Sequence, residues 1–194
     1  MSALHFIYST MNAGKSTLLL QASHNYQERG MNTYLITAQL DNRAGEGKVG
    51  SRIGIGAAAD TFTGDDDLFA KVQAKLSVEK ISCVLIDEAQ FLTKDQVKQL
   101  GKIVDELKIT VMAFGIRTDF QGELFEGSQE LLALADNLKE LKTICSECDK
   151  KATMVVRLDS NGKILLEGEK ILIGGNEIYK TLCRKHFREL TKLI

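Results

Sequence analysis

The sequence predicts an α/β protein with a mostly parallel sheet, helices on both faces of that sheet and a small metal-binding lobe towards the C-terminal end. Three observations lead to this prediction. Short apolar runs alternate with helical runs along the first two thirds of the chain, which is typical of a parallel sheet covered on both faces. A glycine-lysine-serine motif separates the first predicted strand from the first predicted helix. Two pairs of metal-capable side chains follow near the end of the chain.

The elements of the first part follow from apolar periodicity and turn signals. Residues 4–8 are apolar and aromatic and predict a strand, and residues 15–29 predict a helix that ends at Gly30. A second strand is predicted over residues 33–37. The glycine-rich segment 41–64 is predicted as a long, mobile loop, and loops of this length are usually functional or disordered.

The alternation of helix and strand continues to residue 114 and then changes. Helices are predicted over 66–76 and 93–107, and each precedes a strand, over 81–86 and 110–114 respectively. A polar, turn-rich stretch, a short helix and a set of short strands are predicted over 117–127, 128–135 and 145–173. We place a domain boundary near Leu141, which divides the chain into residues 1–141 and residues 142–194.

The composition bounds the class of protein. The 194 residues, of which 44% are apolar and 26% charged, suit one compact domain or one domain with a small appendage, and exclude disorder as the dominant state. Lysine and arginine total 25 against 26 acidic residues, so the net charge of −1 provides no general attraction to nucleic acid or anionic membranes. No apolar run approaches the roughly 20 residues that span a bilayer, and residues 1–5 are not typical of a signal peptide. We therefore expect a soluble, cytoplasmic protein with reduced cysteines.

A candidate phosphate-binding loop lies between the first strand and the first helix. Backbone N–H groups and the positive end of a helix dipole attract phosphate oxygens, Lys15 adds charge near the β- and γ-phosphates, and Ser16 offers a hydroxyl to Mg²⁺. Ser9 stands where the usual motif has glycine, which weakens the formal match. The alternative is an ordinary turn with a serine helix cap. The candidate residues are Ser9, Thr10, Met11, Asn12, Ala13, Gly14, Lys15 and Ser16.

Two carboxylates end the apolar strand 81–86, where ligands bind in open α/β folds. Side chains alternate along a strand, so Asp87 and Glu88 are expected to have different tasks. We assign Asp87 to Mg²⁺ and its waters, and Glu88 to accepting a proton from a substrate hydroxyl or orienting a water. Gln90 could position either partner. The alternative for Glu88 is a helix cap or a hydrated strand end.

The cysteines and one histidine form two pairs with metal-ligand spacing. Cys145 and Cys148 are three positions apart, as are Cys183 and His186. This spacing predicts a tetrahedral Cys₃His zinc site that is structural, because no position remains open for water. The alternative is a redox pair at Cys145 and Cys148, which would not need the second pair. Cys83 lies on a predicted buried strand and is expected to fill space there.

Two histidines are assigned no catalytic role, and two phenylalanines have more than one possible role. His5 is expected within the first strand and His24 on the surface of the first helix. Phe120 and Phe125 lie in a polar stretch, where their rings could stack on a base or close an apolar pocket. The alternative is that these two rings fold back onto the sheet.

Five motifs in order closely resemble the thymidine kinase family of the zinc-containing, cytosolic and bacterial type. They are the loop 9–16, Asp-Glu-Ala-Gln-Phe at 87–91, Phe-Gly-Ile-Arg-Thr-Asp-Phe at 114–120, the two metal pairs, and Ile-Gly-Gly-Asn-Glu-Ile-Tyr at 173–179. The resemblance implies a P-loop NTPase-like, RecA-like fold in residues 1–141. It also implies a zinc lobe in residues 142–194, with a loop that covers the nucleoside.

The same resemblance implies the reaction and further site residues. The γ-phosphoryl of ATP would pass to the 5′-hydroxyl of thymidine or deoxyuridine, with Glu88 as general base, in a homotetramer inhibited by thymidine triphosphate. Asp41, Asn42 and Arg43 would lie near the triphosphate, and Met11, Ile116 and Val155 would border the base. Phe120 and Tyr179 would flank the nucleoside, whose base would meet main-chain groups of Lys170, Ile171, Leu172, Ile173 and Gly174. His186 stands where many relatives have cysteine.

Two other classes of function fit parts of the sequence. A nucleic-acid-binding ATPase would use the phosphate loop for motion, but the near-zero net charge and the lack of a basic, aromatic stripe argue against it. Its ATPase activity would rise with single-stranded DNA. A nucleotide-sensing module would bind nucleotide without turnover, and Glu88 argues moderately against that reading.

Overall fold

The computed structural model describes residues 2–172, 174 and 177–193. Its strands are β1 Leu4–Ser9, β2 Thr33–Ala38, β3 Lys48–Gly50, β4 Gly56–Ala58, β5 Asp60–Phe62, β6 Cys83–Asp87, β7 Thr110–Ile116, β8 Asn137–Glu140, β9 Thr143–Ile144, β10 Lys151–Ala152, β11 Met154–Leu158, β12 Ile164–Leu165 and β13 Tyr179–Leu182. Its helices are α1 Lys15–Gln27, α2 Leu68–Leu76, α3 Lys94–Glu106, α4 Glu126–Leu134 and α5 Arg184–Thr191, with a 3₁₀ turn at Ala89–Phe91.

The main sheet has six parallel strands in the order β5-β2-β6-β7-β1-β8. Its two faces carry separate apolar cores, because successive strand residues point to opposite sides. On one face Phe6 and Ile86 pack with residues of α2, α3 and α4. On the other, Ile7 and Leu85 pack with α1 and with Val49 of β3. The predicted fold class, a parallel sheet with helices on both faces, is confirmed.

The carboxyl ends of the three central strands β6, β7 and β1 meet at one edge of the sheet. Ser9, the last residue of β1, pairs with Ile116, the last residue of β7, and β7 in turn pairs with β6. The phosphate-loop motif, the two carboxylates and the stretch after Gly115 therefore emerge side by side. This edge positions the candidate site.

A smaller body follows β8. A three-stranded antiparallel sheet in the order β12-β11-β13 and the hairpin β9-β10 lie there with α5. Phe187 of α5 is fully buried in the apolar cluster of this region, together with Val156 and Leu182. The boundary near Leu141 stays a prediction.

The expectation of a structureless segment over residues 41–64 is wrong. It holds the hairpin β3-β4 and the edge strand β5, which pairs with β2. Val49 is buried against the helix face that contains α1. Strands of three residues rich in glycine and alanine carry too little alternation to be recognised in sequence. The strand β8 and the largely polar helix α5 were not predicted either.

Two isolated residues have the surroundings that the sequence predicts. Cys83 is fully buried in β6, and His24 lies on α1 with 67% of its side chain exposed. His5 belongs to β1. Within the described ranges, no helix has the length and apolar character needed to cross a membrane.

Candidate active site

A cavity of about 950 Å³ opens at the carboxyl edge of the sheet and reaches the small body beyond β8. The loop after β1 and the residues after β6 line it beside the main sheet, and Val155 of β11 and Tyr179 of β13 line it on the small body, and we refer to these as its two ends. Of the predicted site residues, the following line it: Met11, Asn12, Ala13, Gly14, Lys15, Ser16, Asp41, Arg43, Asp87, Glu88, Gln90, Phe120, Lys170, Ile171, Leu172, Gly174 and Tyr179. Ser9, Thr10 and Asn42 are not among its lining residues, and Ile173 is outside the described residues.

The turn between β1 and α1 has the backbone that a phosphate loop needs. Asn12 and Gly14 both have positive φ, 62° and 79°, and Gly14 precedes the first residue of α1. A side chain at Gly14 would strain the turn although the space around it is open. No side chain caps α1, and the Ser16 hydroxyl instead donates to Asp87 Oδ2 over 3.0 Å. The interpretation of this turn as a serine-capped helix start is therefore wrong.

Lys15 is held beneath the loop by Ser9. Its Nζ donates to Ser9 Oγ over 3.2 Å and to the carbonyl of Thr10 over 3.0 Å. Burial lowers the pKa of Lys15, and the negative charges of Glu88 and Asp87 oppose this shift. The serine that departs from the usual motif thus supplies a hydrogen-bond acceptor that glycine would lack.

Asp87 is buried at the end of β6. Its carboxylate accepts from the Ser16 hydroxyl over 3.0 Å and from the backbone N–H of Glu88 over 3.1 Å. Burial, and then the charge of Glu88, raises the pKa of Asp87 to about 7. A buried carboxylate beside a hydroxyl, both at the cavity wall, is a donor set that suits Mg²⁺, which prefers oxygen ligands.

At Glu88 the backbone leaves the direction of β6. Its backbone is left-handed, with φ of 52°, and sends its side chain away from Asp87 towards two partners. Oε1 accepts from Arg43 Nη2 over 2.6 Å, and Oε2 accepts from Gln90 Nε2 over 2.5 Å. Glu88 precedes the 3₁₀ turn but caps nothing with its side chain. Glu88 thus stands at the N-cap position of this turn, but its carboxylate does not cap it and lines the cavity, bound to Arg43 and Gln90.

Both partners of Glu88 are themselves fixed. Arg43 Nε and Nη2 donate to the two oxygens of Asp41, over 2.7 and 2.8 Å. Gln90 Oε1 accepts from the backbone N–H of Ile116 over 3.1 Å. A Cβ at Gly115 would lie 2.9 Å from that same oxygen, so glycine is needed there for Gln90 to reach Ile116. Gln90 therefore orients Glu88 rather than Asp87.

The opposite end of the cavity is aromatic. Phe120 and Phe125 are buried and line it, together with Tyr179 of β13. Phe125 packs edge to face with Phe91, with 5.8 Å between ring centroids. Met11, Ile116 and Val155 add aliphatic surface between the two ends. The two phenylalanines close an apolar pocket, as one of their two sequence interpretations predicts.

Residues 166–172, the covering segment, are tied to their surroundings by polar contacts. Tyr179 Oη donates to the carbonyl of Leu172 over 2.7 Å, and Gln121 Nε2 donates to the carbonyl of Leu166 over 2.9 Å. Lys170 Nζ donates to the carbonyl of Leu124 over 2.8 Å and lies 3.3 Å from Asp119 Oδ2. Sequence reasoning assigned no role to Asp119, Gln121 or Arg157, although Asp119 belongs to the motif at 114–120.

The predicted metal ligands converge. Cys145 Sγ and Cys183 Sγ each lie 3.5 Å from His186 Nδ1, and Cys148 Sγ lies 3.9 Å from Cys183 Sγ. All four ligand atoms lie within 4.8 Å of one another. Three thiols and an imidazole at this separation fit a tetrahedral metal ion such as zinc. A redox pair would account for only two of the four side chains.

Comparison with known proteins gives consistent matches over nearly the whole chain. The family model for thymidine kinase matches residues 2–187. A thymidine kinase of Ruegeria pomeroyi is 59% identical over 98% of this chain and 96% of its own length. Those of Jannaschia sp. and Shewanella oneidensis are 61% and 60% identical over 97% of this chain, and over 96% and 98% of their own lengths. The Pif1 helicase of Candida albicans aligns to 74% of this chain and 36% of its own at a TM-score of 0.43 and 15% identity, too slight a likeness for any argument.

Proposed function

The chain belongs to the thymidine kinase family, and we propose that its cavity is where the γ-phosphoryl of ATP is transferred to the 5′-hydroxyl of thymidine. It is a thymidine kinase by this membership. One observation carries the assignment of the site. Lys15, Asp87 and Glu88 line the same cavity as the rings of Phe120, Phe125 and Tyr179. In this proposal the triphosphate lies beside the phosphate loop, at the phosphate end, the nucleoside lies beside the aromatic rings, at the nucleoside end, and Glu88 lies where the two ends meet.

The phosphate loop and Lys15 hold the triphosphate in this proposal. Phosphoryl transfer spreads negative charge over the γ-phosphoryl oxygens, and catalysis consists mainly of stabilising that charge with positive and hydrogen-bonding groups at fixed positions. Lys15 and the backbone N–H groups of residues 10–16 meet it from the loop. Arg43, with Asp41 and Asn42 in the same turn, lines the same cavity, and, besides burial, its positive charge contributes to the lowered pKa of Lys15. Asp87 and Ser16 would hold Mg²⁺, whose charge would neutralise phosphate oxygens.

Glu88 is the general base of this proposal. A carboxylate oxygen accepts two hydrogen bonds, so Arg43 and Gln90 leave a lone pair on each oxygen of Glu88. One lone pair takes the proton of the 5′-hydroxyl as its oxygen bonds to the γ-phosphorus, and the bond to the β-γ bridging oxygen breaks to leave ADP. Because Arg43 also faces the triphosphate end, it aligns the base with the phosphoryl group.

The aromatic end takes the nucleoside. Phe120 and Tyr179 flank it, and Met11, Ile116 and Val155 border the base. Lys170, Ile171, Leu172 and Gly174 line the same cavity, and in this proposal their main-chain groups read the edge of the pyrimidine. Ile173, which the resemblance adds to this set, is outside the described residues. Deoxyuridine, which differs from thymidine by one methyl group, is expected to be accepted too.

Zinc is the metal that the Cys₃His cluster supports best in this proposal. It would stabilise the fold of the small body, because the apolar core of that body is small. The division into a nucleotide-binding domain of residues 1–141 and a zinc lobe of residues 142–194 belongs to the same proposal. The resemblance adds a homotetramer and a cytoplasmic location. None of the four cysteines is in a disulfide, so Cys145, Cys148 and Cys183 are available as metal ligands.

The test of this function is ADP release by the purified chain with ATP and Mg²⁺. Thymidine, deoxycytidine, deoxyadenosine and no acceptor are compared, and the product is identified by mass and by 5′-nucleotidase digestion. We expect release to depend on thymidine and to yield the 5′-monophosphate. Release without an acceptor that rises with single-stranded DNA would contradict the proposal and favour a nucleic-acid-dependent ATPase.

A further inference from the structure

Arg157 is a buried arginine at the nucleoside end of the cavity. It lies in β11, the central strand of the three-stranded sheet, opposite Tyr179 on one side and Leu165 on the other. It is only 3% exposed, although arginine is almost never fully buried unless its charge is matched. Its charge must therefore be met by groups around it.

The guanidinium group is met by two carbonyls and two aromatic rings. Nη1 donates to the carbonyl of Glu169 over 2.6 Å, and Nη2 donates to that of Lys170 over 3.2 Å. The guanidinium carbon lies 4.1 Å from the ring centroid of Phe120 and 5.5 Å from that of Tyr179. Arginine suits this task because its planar group stacks on rings while its N–H groups donate within the plane.

The covering segment bends around this side chain. Gly168 has φ of 134°, a backbone that residues with side chains rarely adopt, and a Cβ there would lie 3.8 Å from Arg157 Nη1. Residues 168–170 thus pass over the guanidinium with their carbonyls turned to it. Arg157 holds in one place the backbone that covers the nucleoside and the two rings that flank it.

Arg157 acts through these neighbours and not on the nucleoside itself. Arg157 lines the cavity, but its Nε is buried and has no hydrogen-bond partner among the described residues. Its two other contacts end on main-chain carbonyls. A side chain in this position influences binding by what it keeps in place.

We propose that Arg157 is the positioning residue of the nucleoside end: by binding the carbonyls of Glu169 and Lys170 and stacking on Phe120 and Tyr179, it sets the affinity for thymidine. This inference rests on the proposed function, because it takes the aromatic end as the thymidine site. It predicts that Arg157 affects the KM for thymidine and leaves the phosphate end unaffected.

The experiment compares Arg157→Lys and Arg157→Met with wild-type protein. Lysine keeps the charge but replaces a planar, five-donor group by a point charge that cannot serve both carbonyls and both rings. We expect the KM for thymidine to rise about 10- to 100-fold in Arg157→Met and less in Arg157→Lys, as for loss of hydrogen bonds from a charged group. The KM for ATP and the kcat at saturating thymidine should stay within about twofold of wild type.

Arg117→Lys and Arg117→Met are the matched controls. Arg117 also donates to a main-chain carbonyl of the small body, that of Thr153 over 3.3 Å, but it does not line the cavity. These controls should keep the wild-type KM for thymidine. Bound metal per chain, measured for every variant, reports whether the Cys₃His cluster is intact, and Arg157→Lys decides the test if Arg157→Met loses its metal.

Thymidine affinity measured by calorimetry without ATP distinguishes a failure of the role of Arg157 from a failure of the proposed function. If wild-type protein phosphorylates thymidine and metal-loaded Arg157→Lys keeps the wild-type affinity, the role of Arg157 is refuted and the proposed function stands. A parallel rise in the KM for ATP would also refute it, since that would indicate a general structural role. If wild-type protein neither binds nor phosphorylates thymidine, the proposed function itself fails.

Discussion

The two ends of the cavity are built in different ways. At the phosphate end, Lys15, Asp87 and Glu88 adjoin the ends of buried parallel strands, so the core of the sheet fixes their backbone. At the nucleoside end, the covering segment depends on contacts from side chains to main-chain carbonyls. The backbone of the first end is therefore fixed by the apolar core of the sheet, whereas the covering segment of the second end is held mainly by a few polar contacts.

This difference indicates how the two ends divide the work. Phosphoryl transfer needs charged groups at fixed positions. Residues beside a close-packed sheet are already ordered, so holding them in place costs little additional conformational entropy. A nucleoside has to enter and leave, and a segment held by individually weak bonds can open without unfolding the sheet. Substitutions at the phosphate end should therefore lower kcat, and those at the nucleoside end should raise the KM for thymidine.

The largest effect is expected from Glu88→Gln. This substitution preserves the size of the side chain and removes the proton acceptor, so kcat should fall about 10²- to 10⁴-fold, as is usual for loss of a general base. Thymidine affinity, measured by calorimetry, should change little. The control Glu106→Gln alters an exposed carboxylate on α3 that pairs with Lys102. Wild-type turnover in Glu88→Gln would remove Glu88 from the mechanism.

Loss of the metal cluster should damage the nucleoside end selectively. Cys148→Ser removes one of the four ligands, and structural zinc sites can supply about 10–16 kcal/mol to the folding of small domains. We expect bound metal to be lost and thymidine affinity to fall at least about tenfold, while ATP binding at the phosphate loop persists. Cys83→Ser, in β6 and away from the cluster, is the control for thiol loss. Equal loss of ATP and thymidine binding would contradict the comparison.

A smaller effect is expected from Lys170→Met. It removes the contacts of Lys170 with Leu124 and Asp119 but leaves the main chain that Arg157 binds. The side chain of Lys170 is 44% exposed but that of Asp119 only 1%, so the substitution leaves a buried carboxylate without its charge partner, and the KM for thymidine should rise about fivefold at unchanged kcat. Lys163→Met, an exposed lysine in the turn after β11, should have no effect. A fall in kcat would show that the covering segment also orders the phosphate end.

The sequence allowed the phosphate end to be predicted better than the nucleoside end. Lys15 and Asp87 belong to motifs whose chemistry requires fixed spacing after a buried strand, and apolar periodicity identified those strands. Ser9 departs from the usual motif, and the sequence does not predict its role. Its hydrogen bond from Lys15 depends on a backbone conformation that no sequence pattern reveals.

The contacts of the nucleoside end join residues far apart in sequence. Arg157 was covered only by the prediction of short strands, and charged residues within strands usually face solvent. Its burial depends on Phe120, on Tyr179 and on carbonyls of the covering segment, none of which are at a characteristic spacing. The hairpin β3-β4 was missed for a different reason, since its strands are too short and too rich in glycine.

The smallest effect is expected from Asp66→Asn, which should alter stability and neither end of the site. Asp66 accepts from Thr63 N–H over 2.6 Å and from its hydroxyl over 3.1 Å, and the N–H bond, more than any other contact, lowers the pKa of Asp66. A carboxyl with a lowered pKa stabilises the fold above its unfolded pKa of about 4, and this contribution is lost as pH falls below that value. Asp66→Asn keeps an oxygen that can accept from Thr63 but removes the charge that strengthens these bonds and pairs with Lys71, so it should cost about 0.5–1 kcal/mol in urea unfolding at neutral pH and less near pH 3.

The exposed neighbour Asp65 supplies the control for Asp66→Asn, because Asp65→Asn removes the same charge next to the same turn. If both variants lose equal stability, net charge rather than the bond to Thr63 is responsible. The kinetic constants of both should match wild type, since the segment before α2 lies outside the cavity lining. A changed KM for thymidine in Asp66→Asn would mean that the segment before α2 also affects thymidine binding. The difference between the two ends of the cavity would then be refuted.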